Sequence, residues 1–505
     1  MPSTARSALP RLSSATLDRL PRDVDRPAAA VRRAGVGIVH LGLGAFHRAH
    51  QAVFTDAAMA TAGGNWATVG VSMRSAATRD ALVPQDGLYT VLEQSAAGDR
   101  AQVIGGLREI LVAPEDPAAV IDRLAAPATR IVSLTVTEKG YGGDPATGRL
   151  DTATPAIAAD LDVLARPAKA ESTALPRTAL GLMTAGLARR RAAGAPAPAM
   201  MSCDNLPANG ETFARLLTAF AREIDPGLAD WLAETAAFPS TMVDRIVPAT
   251  TDALRARTAD ILGLEDAWPV ATEPFNQWVV EDRFPLGRPA WDAVGARLVD
   301  DVAPWEAMKL RLLNGSHSLM AYLGQLAGLE TIADCMAEPA LARLVRAMMD
   351  KEVTPTLATP PGADVEGYKD ALIERFANPA LRHRTAQIAQ DGSQKLPQRL
   401  LAPIRQRLAA GARFDRLALG VAAWIAYAGG VGDPAGSRTV DDPLAERFAA
   451  ARAAAGGDPR ALLQEFLAIE PVFGPDLPRN GAFVETVGGR LDRLARDGAR
   501  STIGA

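Results

Sequence analysis

Gly37-Ile38-Val39-His40-Leu41-Gly42-Leu43-Gly44-Ala45-Phe46-His47 decides how the first half of this chain is read. The first five residues form a short apolar run of the kind that makes a buried strand. Gly42 and Gly44 then mark a tight turn, and residues 48–60 show helical spacing. Strand, glycine turn and helix open a dinucleotide-binding βαβ unit: the first glycine permits the turn and the second lets backbone approach a pyrophosphate. The helix behind them favours negative charge. The third glycine position holds His47, so the pair also fits a plain strand-to-helix turn. Its place after the first credible strand favours the phosphate-binding reading, with Gly42, Gly44, Ala45 and Phe46 as cofactor residues.

Outward from that turn, a second strand is expected at residues 66–73 and further strands at 88–92, 131–136, 199–203 and 241–248, the last stopped by Pro248. Helices are expected at 179–193 and at 209–224, the second with Asn209 as a candidate cap. Arg189-Arg190-Arg191 followed by Gly194 is ordinary helix-end chemistry. Residues 1–35, rich in Pro, Arg and Ala, read as an arm laid over the body. Past residue 300 helical patterns dominate, at 305–324, 337–350, 366–377, 396–408, 414–428 and 442–455. The expectation is an α/β Rossmann-type domain over 1–300, followed by a mostly α-helical domain over 301–505 that carries substrate and catalysis.

At 505 residues the chain exceeds one ordinary core, which fits two domains. A net charge of −4 gives no reason to expect nucleic acid or an anionic membrane as partner. No apolar run is long enough for a bilayer, no signal peptide is read, and two cysteines without metal spacing suit a reducing cytoplasm. The five histidines form no His-Glu-x-x-His pair and no Gly-x-Ser-x-Gly occurs, so neither a metal nor a serine nucleophile is expected.

A metal-free dehydrogenase needs a group to take the hydroxyl proton and donors for the developing alkoxide. Residues 305–324 place Glu306, Lys309, Asn314 and His317 on one helix. At about 100° per residue, Asn314 falls about 140° and His317 about 80° round from Lys309, on one half of the cylinder. Lys309 can accept the proton, Glu306 lies one turn earlier, and Asn314 and His317 can donate to substrate oxygens. Asn205, in Ser202-Cys203-Asp204-Asn205 at a strand end, is a second amide, although an Asx-turn through Asp204 also fits this stretch. Arg382-His383-Arg384, close to Asp391-Gly392-Ser393-Gln394-Lys395, is either a solvated face or a holder for a substrate carboxylate.

These segments, with Val136-Thr137-Glu138-Lys139-Gly140-Tyr141, Met242-Val243-Asp244-Arg245-Ile246 and Glu273-Pro274-Phe275, resemble the polyol-specific long-chain dehydrogenases over nearly the whole chain. The resemblance implies a metal-independent, nicotinamide-dependent oxidoreductase acting on a small sugar acid or polyol. It makes Lys309 the general acid/base, Asn205 and Asn314 the oxyanion site, His317 a substrate-orienting donor and Glu306 a proton gate. Asp244 and Lys395 fall at substrate-side positions, and Arg382 and Arg384 are candidates for a substrate carboxylate. The segment following the second expected strand, Val71-Ser72-Met73-Arg74-Ser75, has no acidic residue for an adenosine ribose, and Arg74 could meet the 2′-phosphate of NADP. The family mostly uses NAD, and NAD is the expected cofactor. Two stretches, 135–141 and 378–399, lie closer to the fructuronate reductases than to the mannitol dehydrogenases, and Gln387 stands where the latter tend to carry arginine. The implied reaction is reversible reduction of D-fructuronate to D-mannonate; interconversion of mannitol and fructose is the alternative.

Overall fold

Strand β1 (Val36–Leu41) is the centre of a five-stranded parallel sheet with β2 (Ala67–Ser72), β3 (Leu107–Val112), β4 (Ile131–Leu134) and β5 (Ala199–Ser202). In this computed structural model, which describes residues 9–95, 97–144, 147–166, 174–433 and 439–504, the sheet order is β3-β2-β1-β4-β5. The order reverses at β1, and ligands in open α/β sheets bind at the carboxyl ends of the strands flanking such a switch. Val39, Leu41, Val69, Val71 and Leu134 face helices on one side, and Ile38, Ala67, Ile131 and Met201 pack on the other side with Phe54, Trp278 and Trp291. Burial on both faces explains why these strands read as continuous apolar runs.

The contacts divide the chain into two units, Met1–Val302 and Ala303–Ala505. The first holds two further three-stranded sheets. The strand expected at 88–92 is real (Tyr89–Ser95) but lies outside the main sheet, between Gly98–Ile104 and Val270–Thr272. The strand expected at 241–248 stops at Asp244, well short of the proline, and pairs with Gln277–Glu281. Beyond it the Ile246 N–H goes to the Glu273 carboxylate (2.7 Å), and the buried Arg245 side chain donates to the carbonyls of Ala49 and Glu273 and pairs with Glu93. The arm lies on this unit, with Leu12, Leu20 and Val24 buried and Leu12 N–H bonded to Glu265 O. Asn209 does not cap its helix. Ala208 occupies that position, while the Asn209 amide donates to Asp204 O and Thr241 O and accepts from Thr241 N–H.

In the second unit every element among the described residues is helical. Its central run is not one regular helix: Ala303–Lys309 and Gly315–Ala327 flank a five-residue π turn, Leu310–Asn314, closed by Gly315 N–H to Leu310 O. A second π turn, Pro397–Leu401, packs against it. Gly315 makes that approach possible, since a Cβ there would come within 3.1 Å of Arg399 O. No helix among the described residues is long and apolar enough to cross a membrane.

Candidate active site

At the switch point, Gly42 N–H and Leu43 N–H both donate to Val71 O, tying the glycine turn to the end of β2. Gly42 has φ +94°, and an added Cβ would sit 2.1 Å from Thr135 O, so only glycine fits. Gly44 differs. A Cβ there would meet nothing closer than Gly42 O at 3.7 Å, which leaves its outer side to a ligand. His47 replaces the usual third glycine because it is a core residue, stacked on His40 with ring centroids 3.5 Å apart.

A cavity of about 440 Å³ opens over this turn, lined by Gly42, Gly44, Ser72, Thr135, Thr137 and Gly140 among others. Glycine backbone and hydroxyls at the ends of β1, β2 and β4 fit a pyrophosphate and its riboses. Ala45 and Phe46 do not line it: Ala45 packs into the core, and Phe46 stacks on His50. His40, His47 and His50 are buried, and desolvation drives His40 to about 3 and His50 to about 4. They are neutral structural groups, and among the described residues no three His, Cys, Asp or Glu side chains are placed to hold a metal ion.

The sequence leaves Asp204 open to an Asx-turn. Its carboxylate instead crosses to the loop after β4, accepting from Val136 N–H (2.9 Å), Thr137 N–H (3.0 Å) and the Tyr141 hydroxyl (2.8 Å). Burial raises its pKa while those donors oppose the rise. The grip holds Thr137 at φ +66°, a strained conformation for a β-branched residue. Asn205 follows as an exposed residue, and Asp244 is buried at the end of its strand.

In the second unit, Lys309 is buried, and Asn314 and Glu306 are half-buried. The π turn alters their projection. Taking up one extra residue removes about 100° of rotation, so Asn314 comes to about 40° from Lys309 and His317 to about −20°. The three groups therefore share a stripe, more closely than regular pitch predicts. The His317 ring packs on Phe376 (4.7 Å) and edge-on to His383 (5.0 Å). Desolvation holds its pKa well below 6.5, helped by His383, Arg375, Arg399 and Lys309. Asn314 Oδ1, His317 Nε2 and His383 Nδ1 are buried with no hydrogen-bond partner among the described residues. Such atoms are costly to bury, and His317 Nε2 and His383 Nδ1, on two rings in edge-on contact, leave two neighbouring nitrogens open to a ligand.

The basic cluster resolves differently from expectation. Arg382 and Arg384 are largely exposed and both pair with Glu330 (3.6 and 3.4 Å), so they are surface groups, while His383 between them turns inward. The buried arginines beside His317 are Arg375 and Arg399, both 8% exposed, with Arg399 Nη1 donating to Ser318 Oγ at 3.2 Å. Arg375 carried no signal beyond one polar position in a helix. Arg399 did: it lies four residues after Lys395, the spacing that puts two helical side chains on one face. Lys395 is half-buried and donates to Gln390 O at 2.6 Å.

A doubly wound nucleotide-binding sheet followed by a helical unit with a buried lysine, amide and imidazole is the layout of a dinucleotide-dependent oxidoreductase. The chain belongs to the mannitol dehydrogenase family: the family's Rossmann domain matches residues 36–293 and its C-terminal domain residues 301–495. It is 44% identical to D-mannonate oxidoreductase of Escherichia coli, over 95% of this chain and 98% of that one. It is 42% identical to mannitol 2-dehydrogenase of Pyricularia oryzae, over 92% of each. Among solved structures, mannitol 2-dehydrogenase of Pseudomonas fluorescens in ternary complex with NAD and D-mannitol superposes with a TM-score of 0.85, at 41% identity over 98% of both chains.

Proposed function

We propose that this chain catalyses the reversible, NAD(H)-dependent and metal-independent reduction of D-fructuronate to D-mannonate in the cytoplasm. The first unit would hold the dinucleotide and the second the substrate. One observation carries the substrate assignment: Arg375 and Arg399 set two buried guanidiniums beside His317, a positive field that suits a uronate carboxylate better than an uncharged hexitol. The relative named D-mannonate oxidoreductase, at 44% identity, supports the same reading.

A bound nicotinamide supplies and accepts the hydride. The chain's own residues handle the proton and the geometry. Lys309, in its buried setting, gives a proton to the carbonyl oxygen in reduction and takes it back in oxidation, with Glu306 one turn earlier on its path to solvent. Asn314 donates to the oxygen on which charge develops. Neutral His317 presents one ring N–H to a neighbouring substrate hydroxyl. Lys395 holds a further hydroxyl, while Arg375 and Arg399 fix the carboxylate end. The two cysteines, Cys203 and Cys335, are free and buried, as suits a reducing compartment.

The mannitol–fructose reading is the second one, favoured by the 41% identity to a structure binding D-mannitol. Steady-state kinetics with NADH separates them. Fructuronate is expected to have the higher kcat/KM, and a higher value for fructose refutes the uronate assignment. Arg399→Met should raise KM for fructuronate about 10–100-fold, the worth of one charged hydrogen bond, and affect fructose far less.

A further inference from the structure

A second cavity, of about 460 Å³, lies within the helical unit, and its lining includes neither Lys309, Asn314 nor His317. Lys351, Arg407, Arg413, Arg416, Arg490 and Arg493 line it, against two carboxylates, Glu352 and Asp415. That is a strong positive bias in a chain whose net charge is −4. The cations come from separate elements: the π turn Met349–Val353, the helix Ala402–Ala409, the start of the helix Asp415–Ala428 with the loop before it, and the run Gly481–Ile503. A concave surface lined by one sign of charge concentrates the field and draws in counter-ions.

Both carboxylates are engaged in holding the walls. Glu352 is buried and accepts from Arg416 N–H (3.0 Å), Leu417 N–H (2.9 Å) and Arg416 Nη1 (3.0 Å), which closes the first turn of the helix Asp415–Ala428. Asp415 accepts from Arg413 Nε (2.8 Å) and Arg490 Nη2 (2.9 Å). Arg407 Nε donates to Arg413 O at 2.9 Å, and Arg493 stands 3.8 Å from Asp497. These contacts fix the arginines and leave other guanidinium nitrogens for a ligand. Exposed Lys351 has no hydrogen bond or ion pair among the described residues. Leu344, Leu419 and Ile503 add an apolar wall, and the volume is that of a small-molecule site. Guanidiniums match phosphate oxygens through paired N–H donors. The chemistry that fits is a phosphorylated small metabolite, its phosphates on the arginines and its carbon skeleton on the apolar wall.

The walls of this cavity are also the supports of the helix that carries Lys309. Met349–Val353 packs against the π turn Leu310–Asn314, and Asp415–Ala428 packs against Gly315–Ala327. The helix bearing Arg407 continues directly from Pro397–Leu401, the turn that carries Arg399. We propose that the cavity is an effector site for a phosphorylated small metabolite, and that its occupancy alters catalysis through these shared elements.

Calorimetric titration of the purified full chain, with NADH at saturation to fill the dinucleotide site, tests the proposal. The probes are fructose 1,6-bisphosphate, 6-phosphogluconate and pyrophosphate, with sodium sulfate at matched ionic strength as the control. At least one probe is expected to bind well below the millimolar range and sulfate is not. The double variant Lys351→Ala/Arg413→Ala changes two exposed side chains outside the proposed catalytic residues. It should weaken the bound probe about 10–100-fold, the worth of one or two charged hydrogen bonds, with the NADH Kd and the probe-free kcat/KM unchanged. Saturating probe should shift wild-type kcat/KM for the better of fructuronate and fructose at least twofold, and at that concentration leave the variant unmoved. Binding of none of the three probes overturns the site, as does binding that the variant does not weaken. Binding matched by sulfate reduces the cavity to an adventitious ion site and overturns the ligand class. A kinetic shift that persists in the variant puts the probe in the active site, and binding without any shift overturns the coupling. The binding measurements hold whichever substrate the chain reduces.

Discussion

Removing the Asp204 carboxylate should damage the cofactor site from a distance. The side chain accepts from Val136 N–H, Thr137 N–H and the Tyr141 hydroxyl, and Val136 and Thr137 line the cavity. Hydrogen bonds to a charged group contribute about 1.5–3 kcal/mol each. Against that, Asp204→Ala releases the strain at Thr137, about 1–3 kcal/mol. Three such bonds less that relief give a net loss of about 1.5–8 kcal/mol, or, for a unit of residues 1–302, a melting transition lower by roughly 2–13 °C. NADH affinity should fall with it, since two backbone groups at the cavity edge lose their anchor. Asp204→Asn is the finer test. Val136 N–H and Tyr141 O–H share Oδ2, while Thr137 N–H uses Oδ1 alone. An amide oxygen at Oδ2 therefore keeps two bonds and sets its NH₂ against Thr137 N–H, at a cost of about 1–3 kcal/mol. Thermal unfolding with NADH fluorescence titration reads both quantities. The reasoning fails if Asp204→Ala melts within a degree or two of wild type, or if the Asn variant is as damaged as the Ala variant.

Three other outcomes follow from the geometry. Lys309→Ala should lower kcat/KM about 10²–10⁴-fold and leave the NADH Kd within a factor of two, as stopped-flow and titration would show; near-wild-type kcat removes Lys309 from the proton path. Because His317 is neutral far below pH 6.5, His317→Gln should lower kcat/KM without changing the shape of its pH profile; a lost acidic limb would contradict that. Asp56, buried with Gly105 N–H on its carboxylate at 2.8 Å, is pushed by desolvation up to about 7. A raised folded-state value favours the protonated form, so its contribution is full below about pH 4 and is lost as pH rises through 7. Asp56→Asn should match wild type in urea unfolding near pH 4 and exceed it by on the order of a few kcal/mol at pH 8; an equal offset at both pH values would count against the linkage.

The parts legible from sequence were those where one physical requirement acts alone. β1 and its glycines stood out because both sheet faces are buried and Gly42 cannot bear a Cβ. β3 escaped because it is the edge strand: Arg108 and Glu109 break its apolar run, and Glu109 is held by Arg123. The final helical run, Gly481–Ile503, kinked at Gly498 (φ +74°), escaped because Gly488 and Gly489 argue against helix, although a Cβ at Gly488 would strike Arg460 Nη1 at 2.2 Å. In the site, Lys309, Asn314 and His317 were readable as one helix face. The two arginines buried near His317 were not, because Arg382-His383-Arg384 is conspicuous as a run, whereas Arg375 and Arg399 are isolated in sequence and come near His317 only through the fold.

The π turn at Leu310–Asn314 has a consequence for how length and orientation relate in this helix. Counted by phase, it is an absorbed insertion: Asn314 and His317 present the faces they would have in a helix one residue shorter. A deletion inside the turn would leave the lysine, amide and imidazole in line and would make the backbone ladder more regular. What it would erase is the widened backbone between them, where a carbonyl falls off the i→i−4 ladder. Activity lost by such a deletion would then be traceable to main-chain groups between Lys309 and Asn314, with every named side chain still facing the same way.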